Sequence, residues 1–328
     1  MLFFFITVLA NFVWAQSKGE NQVEQDLPYL KTTYTYKVVD SCLIKADVYR
    51  PNDHKIRPAL LWIHGGALII GNRSWLNSQQ LEMYIRLGFV VVSIDYRLAP
   101  ETKLTGIVQD IADAYHWLRS EGSRLCNIDP DRVVIAGASA GGYLTLTAGF
   151  LLCPRPKALI SFYGYGDISG AWYAQPDSFY NQQPAVTEDQ AYQAVGDSVI
   201  SSTHASLTNK RYQFYLYCRQ KGLWPKEVTD HDPGKEKNWF MAYEPIQNIT
   251  TAYPPTILLH GQADTDVPYQ QSLLMSEELK QKGVDYEFIT NREWGHGFDG
   301  AGKRDPKVVE AFERILNFLN KHVIASGL

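Results

Sequence analysis

The run VVIAGASAGGYL, Val133 to Leu144, ends an apolar β-rich segment in a serine hemmed by glycines and alanines. Small residues ahead of a helix serve two chemistries. They cradle a phosphate at the helix N-terminus, or they let a strand turn sharply enough to expose one hydroxyl as a nucleophile. A P-loop needs a Gly-Lys-Ser/Thr ending, and no lysine is present here; a dinucleotide fingerprint belongs on the first strand of its fold, whereas this run is the fifth strand read from the sequence. Gly137-Ala138-Ser139-Ala140-Gly141 is therefore read as a G-x-S-x-G turn with Ser139 as nucleophile.

A serine nucleophile needs a base, and the chain has eight histidines. His54 lies in a polar turn, His116 on a helical stripe, His204 and His231 in a long insertion, and His322 near the C-terminus, all positions suited to surface or packing. His296, in EWGHGFDG, follows a predicted strand and lies between two glycines, on a turn where strand ends meet loops. The base needs an acid to fix its tautomer, and LLHGQADTDVP offers both Asp264 and Asp266. Acyl transfer also requires donors for an oxyanion: Gly65 and Gly66 of WIHGGALIIG and the N–H of Ala140, next after the nucleophile, are the candidates.

These residues need a frame that brings them together. YTYKVVD and LIKADVYRP read as two strands around a turn at Asp40 and Ser41. ALLWIHGG, FVVVSIDYR, RVVIAGAS, ALISFYG and PTILLHG are short, nearly continuous apolar runs, the pattern of strands buried on both faces of a parallel sheet. Helical stripes lie between them at Ile107 to Leu118 and Tyr143 to Leu152. A helix around Gln270 to Lys282, the strand YEFITNRE and a last helix capped by Asp305 with Pro306 in its first turn complete the pattern. Alternating strands and helices predict an α/β fold: a mostly parallel central sheet with helices on both faces, in one domain over residues 27–328. The stretch from about 165 to 253 is too long for a single crossover and is read as a mostly helical cap. It contains a capping box, Thr187 with Gln190, ahead of Ala191, Val195 and Val199, and a helix near Lys210 to Gln220.

With 31 Lys and Arg against 35 Asp and Glu and no basic cluster, nucleic acid is excluded as an expected partner. The opening MLFFFITVLANFVWAQ is apolar from Leu2 to Trp14, too short to span a bilayer, and is read as a signal peptide over residues 1–15 cleaved near Ala15. An exported protein, secreted or periplasmic and without a stable membrane anchor, is the expectation. Cys42, Cys126, Cys153 and Cys218 form no C-x-x-C pair, so no metal site is expected. Strand up and helix down would return Cys126 and Cys153 to one edge of the sheet, where a disulfide could form. Asn72 and Asn248 are sequons that matter only in a eukaryotic secretory pathway.

HGGA, DYRLAPE and GASAGG resemble the hormone-sensitive-lipase-like branch of carboxylesterases in the α/β-hydrolase superfamily, over nearly the whole mature chain. HGQADTDVPYQQS is similar to the acid loop of the prolyl oligopeptidase family, which implies Asp264 as the acid. The order Ser139, Asp264, His296 is that of α/β-hydrolases. Two positions depart from the pattern: Ala67 replaces the third glycine of H-G-G-G, and Ala138 replaces the acid of G-D-S-A-G-G. The resemblance implies that Asp95 and Arg97 brace the loop. The expected activity is hydrolysis of small carboxylic esters, short-chain acyl or sugar acetyl, without a cofactor. A dipeptidyl or acylaminoacyl peptidase and a catalytically silent ligand-binding protein are the alternatives; so short a segment before the first strand leaves no room for the preceding domain of large peptidases. Tyr163, Tyr165 and Trp172 stand either at the pocket mouth or between cap and sheet.

Overall fold

The computed structural model describes residues 29–325; the expected signal peptide lies outside the described residues. Eight strands form one sheet in the order β1-β2-β4-β3-β5-β6-β7-β8. They are β1 (Tyr29–Val39), β2 (Cys42–Pro51), β3 (Arg57–Ile63), β4 (Val90–Ile94), β5 (Ile128–Ala138), β6 (Ala158–Phe162), β7 (Thr256–Gly261) and β8 (Tyr286–Asn291). β2 runs antiparallel to β1 and to β4; every pairing from β4 across to β8 is parallel. Successive side chains of a strand point to opposite faces, so a strand covered on both sides must be apolar at every position. β3 shows this directly: Ala59, Leu61 and Ile63 join the core on one face, Leu60 and Trp62 the core on the other.

Helices α2 (Leu104–Trp117) and α3 (Ala140–Leu151) cover one face, while α1 (Ser78–Arg86) and the last helix, α7 (Pro306–Leu319), cover the other. α7 begins as its sequence dictates: the Asp305 carboxylate accepts from Lys307 N–H at 2.9 Å, Pro306 occupies the first turn, and Val308, Phe312, Ile315 and Leu319 are buried against the sheet. α1 escaped the sequence reading because its composition is polar. Asn77 caps it, accepting from Gln79 and Gln80 N–H, and only Leu81, Tyr84 and Ile85 make its apolar stripe.

Between β6 and β7 lie the longest helix of that stretch, α4 (Ala205–Lys221), then α5 (Trp224–Thr229) and several single-turn helices; α6 (Gln270–Gln281) follows β7. The Thr187–Gln190 capping box is formed at both ends, but its helix stops at Tyr192, so Val195 and Val199 fall beyond it, on either side of Gly196. α3 is packed between the sheet and this segment and is buried from Ala140 to Gly149. Its two threonines are satisfied within the helix, Thr145 donating to Gly141 O and Thr147 to Tyr143 O. The Cys126–Cys153 bond that the chain path would allow is not formed. Cys126 is buried with Sγ 3.8 Å from the Tyr34 hydroxyl, whereas Cys153 is exposed beyond α3; all four cysteines are free. Both sequon amides are engaged, Asn72 donating to Thr203 O and Asn248 to Met241 O and Glu244 O.

Candidate active site

Ser139 sits between β5 and α3 with φ 56 and ψ −121, a conformation that costs a non-glycine residue about 1–3 kcal/mol and persists only where the surroundings fix it. They do so on every side. Ser139 N–H donates to Phe162 O on β6 at 2.9 Å, and its carbonyl accepts the first turn of α3 from Tyr143 N–H at 3.0 Å. A Cβ on Gly137 would strike the Gly141 carbonyl, and one on Gly141 would strike the Ile63 carbonyl. The glycines of G-x-S-x-G thus let α3 press against the ends of β5 and β3, which leaves the half-exposed serine at the helix start.

The loop after β3 meets this turn. A Cβ on Gly65 would lie 2.8 Å from Ala138 O and 3.2 Å from Ser139 Cβ, so the predicted oxyanion donor and the predicted nucleophile are neighbours. Gly66, Ala67 and Leu68 all have positive φ, at 103, 55 and 63. The turn is closed by Ile69 and Ile70 N–H, both donating to Gly66 O at 2.9 Å. Ala67, at the position of the usual third glycine, thus holds a left-handed backbone without being glycine. The peptide planes are fixed from behind: Tyr96 hydroxyl donates to His64 O at 3.0 Å, and His64 Nδ1 donates to Gly65 O at 2.7 Å. Burial pushes the His64 imidazole down to about 4, so the ring stays neutral, and it stacks on Tyr96. Further along, the Ala67, Leu68 and Ile69 carbonyls accept from the Trp224 indole at 2.9 Å, Ala99 N–H at 2.8 Å and Arg211 Nε at 2.9 Å. Arg211 is buried and doubly paired with Glu101, the last residue of DYRLAPE. Asp95 and Arg97 of the same motif hold Arg73 and Asp110 respectively.

Asp264 and His296 come together from the loops after β7 and β8, with His296 Nδ1 donating to Asp264 Oδ2 at 2.8 Å. The other oxygen, Oδ1, accepts the N–H groups of Asp266 and Val267, both at 2.9 Å. His260, at the end of β7, adds its Nε2 at 3.2 Å from Oδ2 and is itself oriented by Ser272. Burial opposes ionisation of Asp264, but the two histidines outweigh it and hold the carboxyl well below the usual range. For His296, burial lowers the proton affinity, and Asp264, then Asp266 and Asp299, more than offset this and bring the ring to about 8. Tyr163 links the two halves. It follows Phe162, the residue that holds Ser139, and its ring centroid lies 4.6 Å from that of His296. Its hydroxyl donates to the buried Asp299 at 2.6 Å, and Asp299 also accepts from Gln80.

Tyr165 is fully buried, stacked on Tyr143 and edge-on to Trp172, Tyr173 and Trp224, so it packs the inserted segment on the sheet. Trp172 is partly buried and stacked on Tyr173. The sequence reading overlooked His260, although it lies four residues before Asp264, and Asp299, three after His296. It had no means of finding Arg211 or Trp224, whose partners lie more than 100 residues away. Among the described residues, no group of three or more His, Cys, Asp or Glu could hold a metal ion, and no helix is long and apolar enough to cross a membrane.

This mostly parallel sheet with helices on both faces, with the sharp turn at Ser139 after β5 and the loops of Asp264 and His296 after β7 and β8, is that of the α/β-hydrolase fold. An alpha/beta hydrolase superfamily protein from Enterococcus faecalis matches with a TM-score of 0.70 at 22% identity, over 89% of this chain and 99% of that one. A thermophilic esterase from Thermogutta terrifontis, Est2 with propionate bound, matches with a TM-score of 0.63 at 22% identity, over 89% and 94%. The BD-FAE family model matches residues 46–279, and the chain belongs to this family, in agreement with the resemblance carried by HGGA, DYRLAPE and GASAGG. Among curated relatives, the non-reducing polyketide synthase adrD from Penicillium roqueforti is 30% identical over 89% of this chain, and pkbA from Emericella nidulans 29% over 88%. The chain spans 14% of the length of either synthase.

Proposed function

We propose that this protein is a serine hydrolase of small carboxylic esters, with Ser139, His296 and Asp264 as its triad and no cofactor. Ser139 Oγ attacks the ester carbonyl while His296 Nε2 takes its proton. The N–H groups of Gly65, Gly66 and Ala140 hold the oxyanion, and the protonated histidine returns the proton to the departing alcohol. Water then attacks the acyl-enzyme, with the histidine again as base, and releases the acid and free Ser139. Asp264 holds the Nδ1 proton throughout. The observation that carries this reading is the strained Ser139 backbone seated against Gly65 after β5, together with a histidine bonded to a buried carboxylate on the loops after β8 and β7 of the same sheet. We assign short-chain acyl or sugar acetyl esters as substrates, and export as the setting in which the mature chain works. A fluorophosphonate probe is expected to label the wild type and not Ser139→Ala, and Ser139→Ala to lose p-nitrophenyl acetate and butyrate hydrolysis at least a thousandfold while keeping its circular dichroism. Labelling that persists in the variant would remove the assignment, and a higher kcat/KM on dipeptidyl or acylaminoacyl amides than on any ester would make it a peptidase.

A further inference from the structure

A second carboxylate faces the working nitrogen of the histidine. His296 Nδ1 is taken by Asp264, and Nε2, the atom that must exchange a proton with Ser139, has Asp266 Oδ2 at 3.5 Å. Asp266 is firmly held. Its Oδ1 accepts three bonds: Tyr215 hydroxyl at 2.6 Å, Tyr180 hydroxyl at 2.7 Å and Arg219 Nη1 at 2.9 Å. Those donors orient the carboxylate so that Oδ2 is left for the histidine. Arg219 is buried, lies over the rings of Tyr173 and Tyr180, and is anchored on its far side by Asp177 at 2.6 Å. The side chain of Asp266 is 13% exposed, where it lines an open cleft of about 390 Å³ with Asp177, Gln262 and Thr265.

We propose that Asp266 is a positioning residue that sets the base strength of His296 through its Nε2, alongside the acid that holds Nδ1. This rests on the triad reading above. With Nδ1–H on Asp264, the Nε2 of the neutral ring carries a lone pair, which a carboxylate repels; once Nε2 is protonated, the same carboxylate attracts it. Asp266 therefore favours the charged ring in the resting enzyme and also in the transition state, where the ring becomes an imidazolium. The first effect withdraws active enzyme at low pH, and the second accelerates the reaction where the resting ring is neutral, a trade-off governed by base strength. The groups facing the ring are Asp264, Asp266 and Asp299, with Tyr163 against its plane. His260 acts on it through Asp264, and Arg219 with Asp177 through Asp266.

The test is the pH dependence of kcat/KM for p-nitrophenyl acetate between pH 5.5 and 9.5 in wild type, Asp266→Asn and Tyr180→Phe. For Asp266→Asn, the acid limb is expected to move down by about one pH unit and the high-pH plateau to fall about three- to fivefold, so that the two curves cross between about pH 7 and 7.5. Tyr180→Phe keeps the carboxylate and removes one donor, so its limb is expected at or above the wild-type position. A lowered plateau with an unmoved limb in Asp266→Asn, or a limb that drops equally in Tyr180→Phe, would show a packing role and overturn the proposal. Asp266→Ser takes the same part if the asparagine variant does not fold. The imidazole titration of His296, followed by NMR in Ser139→Ala with and without Asp266→Asn, reads the same shift without catalysis. A shift there in a protein that hydrolyses no ester would keep the electrostatic role while removing the triad reading, and no shift would overturn the role itself.

Discussion

Asp264 shows what a single residue in this site must do. Its four contacts divide the labour: two backbone N–H groups fix one oxygen, and two imidazoles share the other. Asparagine there would turn an N–H donor toward His296 Nδ1 and force the wrong tautomer, so Asp264→Asn is expected to lower kcat by about 10³ to 10⁴. Asp266→Asn at the pH optimum is expected to lose at least a hundredfold less, and assay of the two variants side by side checks the ranking. The sign of the pH dependence follows from the same contacts. A base must be neutral, and His296 titrates at about 8, so wild-type kcat/KM is expected to rise about tenfold per unit below that pH and to level off above it. At this scale, Ser139, His296 and the glycines could be singled out as candidates because each lies in a local signature of small residues around one reactive group. The choice of Asp264 over Asp266 was not legible from spacing alone. The structure separates them by the nitrogen each one faces.

The elements that hold the site were legible in proportion to their burial. Strands covered on both faces announce themselves as apolar runs, and the capped, strongly striped α7 could be read from its first turn. α1 could not, since a polar helix that buries three apolar side chains leaves only Asn77 and that sparse stripe as signals. Harder still were the helices between β6 and β7, whose role lies in contacts back to the loop after β3. Trp224 on α5 donates its indole N–H to Ala67 O, the carbonyl of the residue whose φ of 55 needs support. Trp224→Phe leaves that carbonyl buried and unpaired, at a cost of about 1–3 kcal/mol. We expect kcat to fall about tenfold with KM changed less than twofold, because the oxyanion donors lose their aim while ester binding does not. A thermal melt a few degrees lower and steady-state kinetics check both parts.

For the whole molecule, chain path was easier to read than side-chain direction. A strand followed by a returning helix does bring Cys126 and Cys153 to the same end of the α/β unit, yet one side chain points inward to Tyr34 and the other outward to solvent. Periodicity fixes the face of an element, and these two residues lie at element ends, where it no longer applies. Mass spectrometry of the unreduced protein is expected to show four free thiols. In the folded state Cys153 should be alkylated first, with Cys126 and Cys218 protected until denaturation.

The attachment of Arg211 and Trp224 to the loop after β3 limits how this scaffold can be rebuilt. Residues 163–255 interrupt a single crossover, so their length could change without altering the register of any strand, and the segment looks like an exchangeable module. It is not freely exchangeable. A graft from another hydrolase would have to bring two donors to the Ala67 and Ile69 carbonyls and a cation to Glu101, or the chimera would keep Ser139, Asp264 and His296 and lose the backbone support of the loop that meets them.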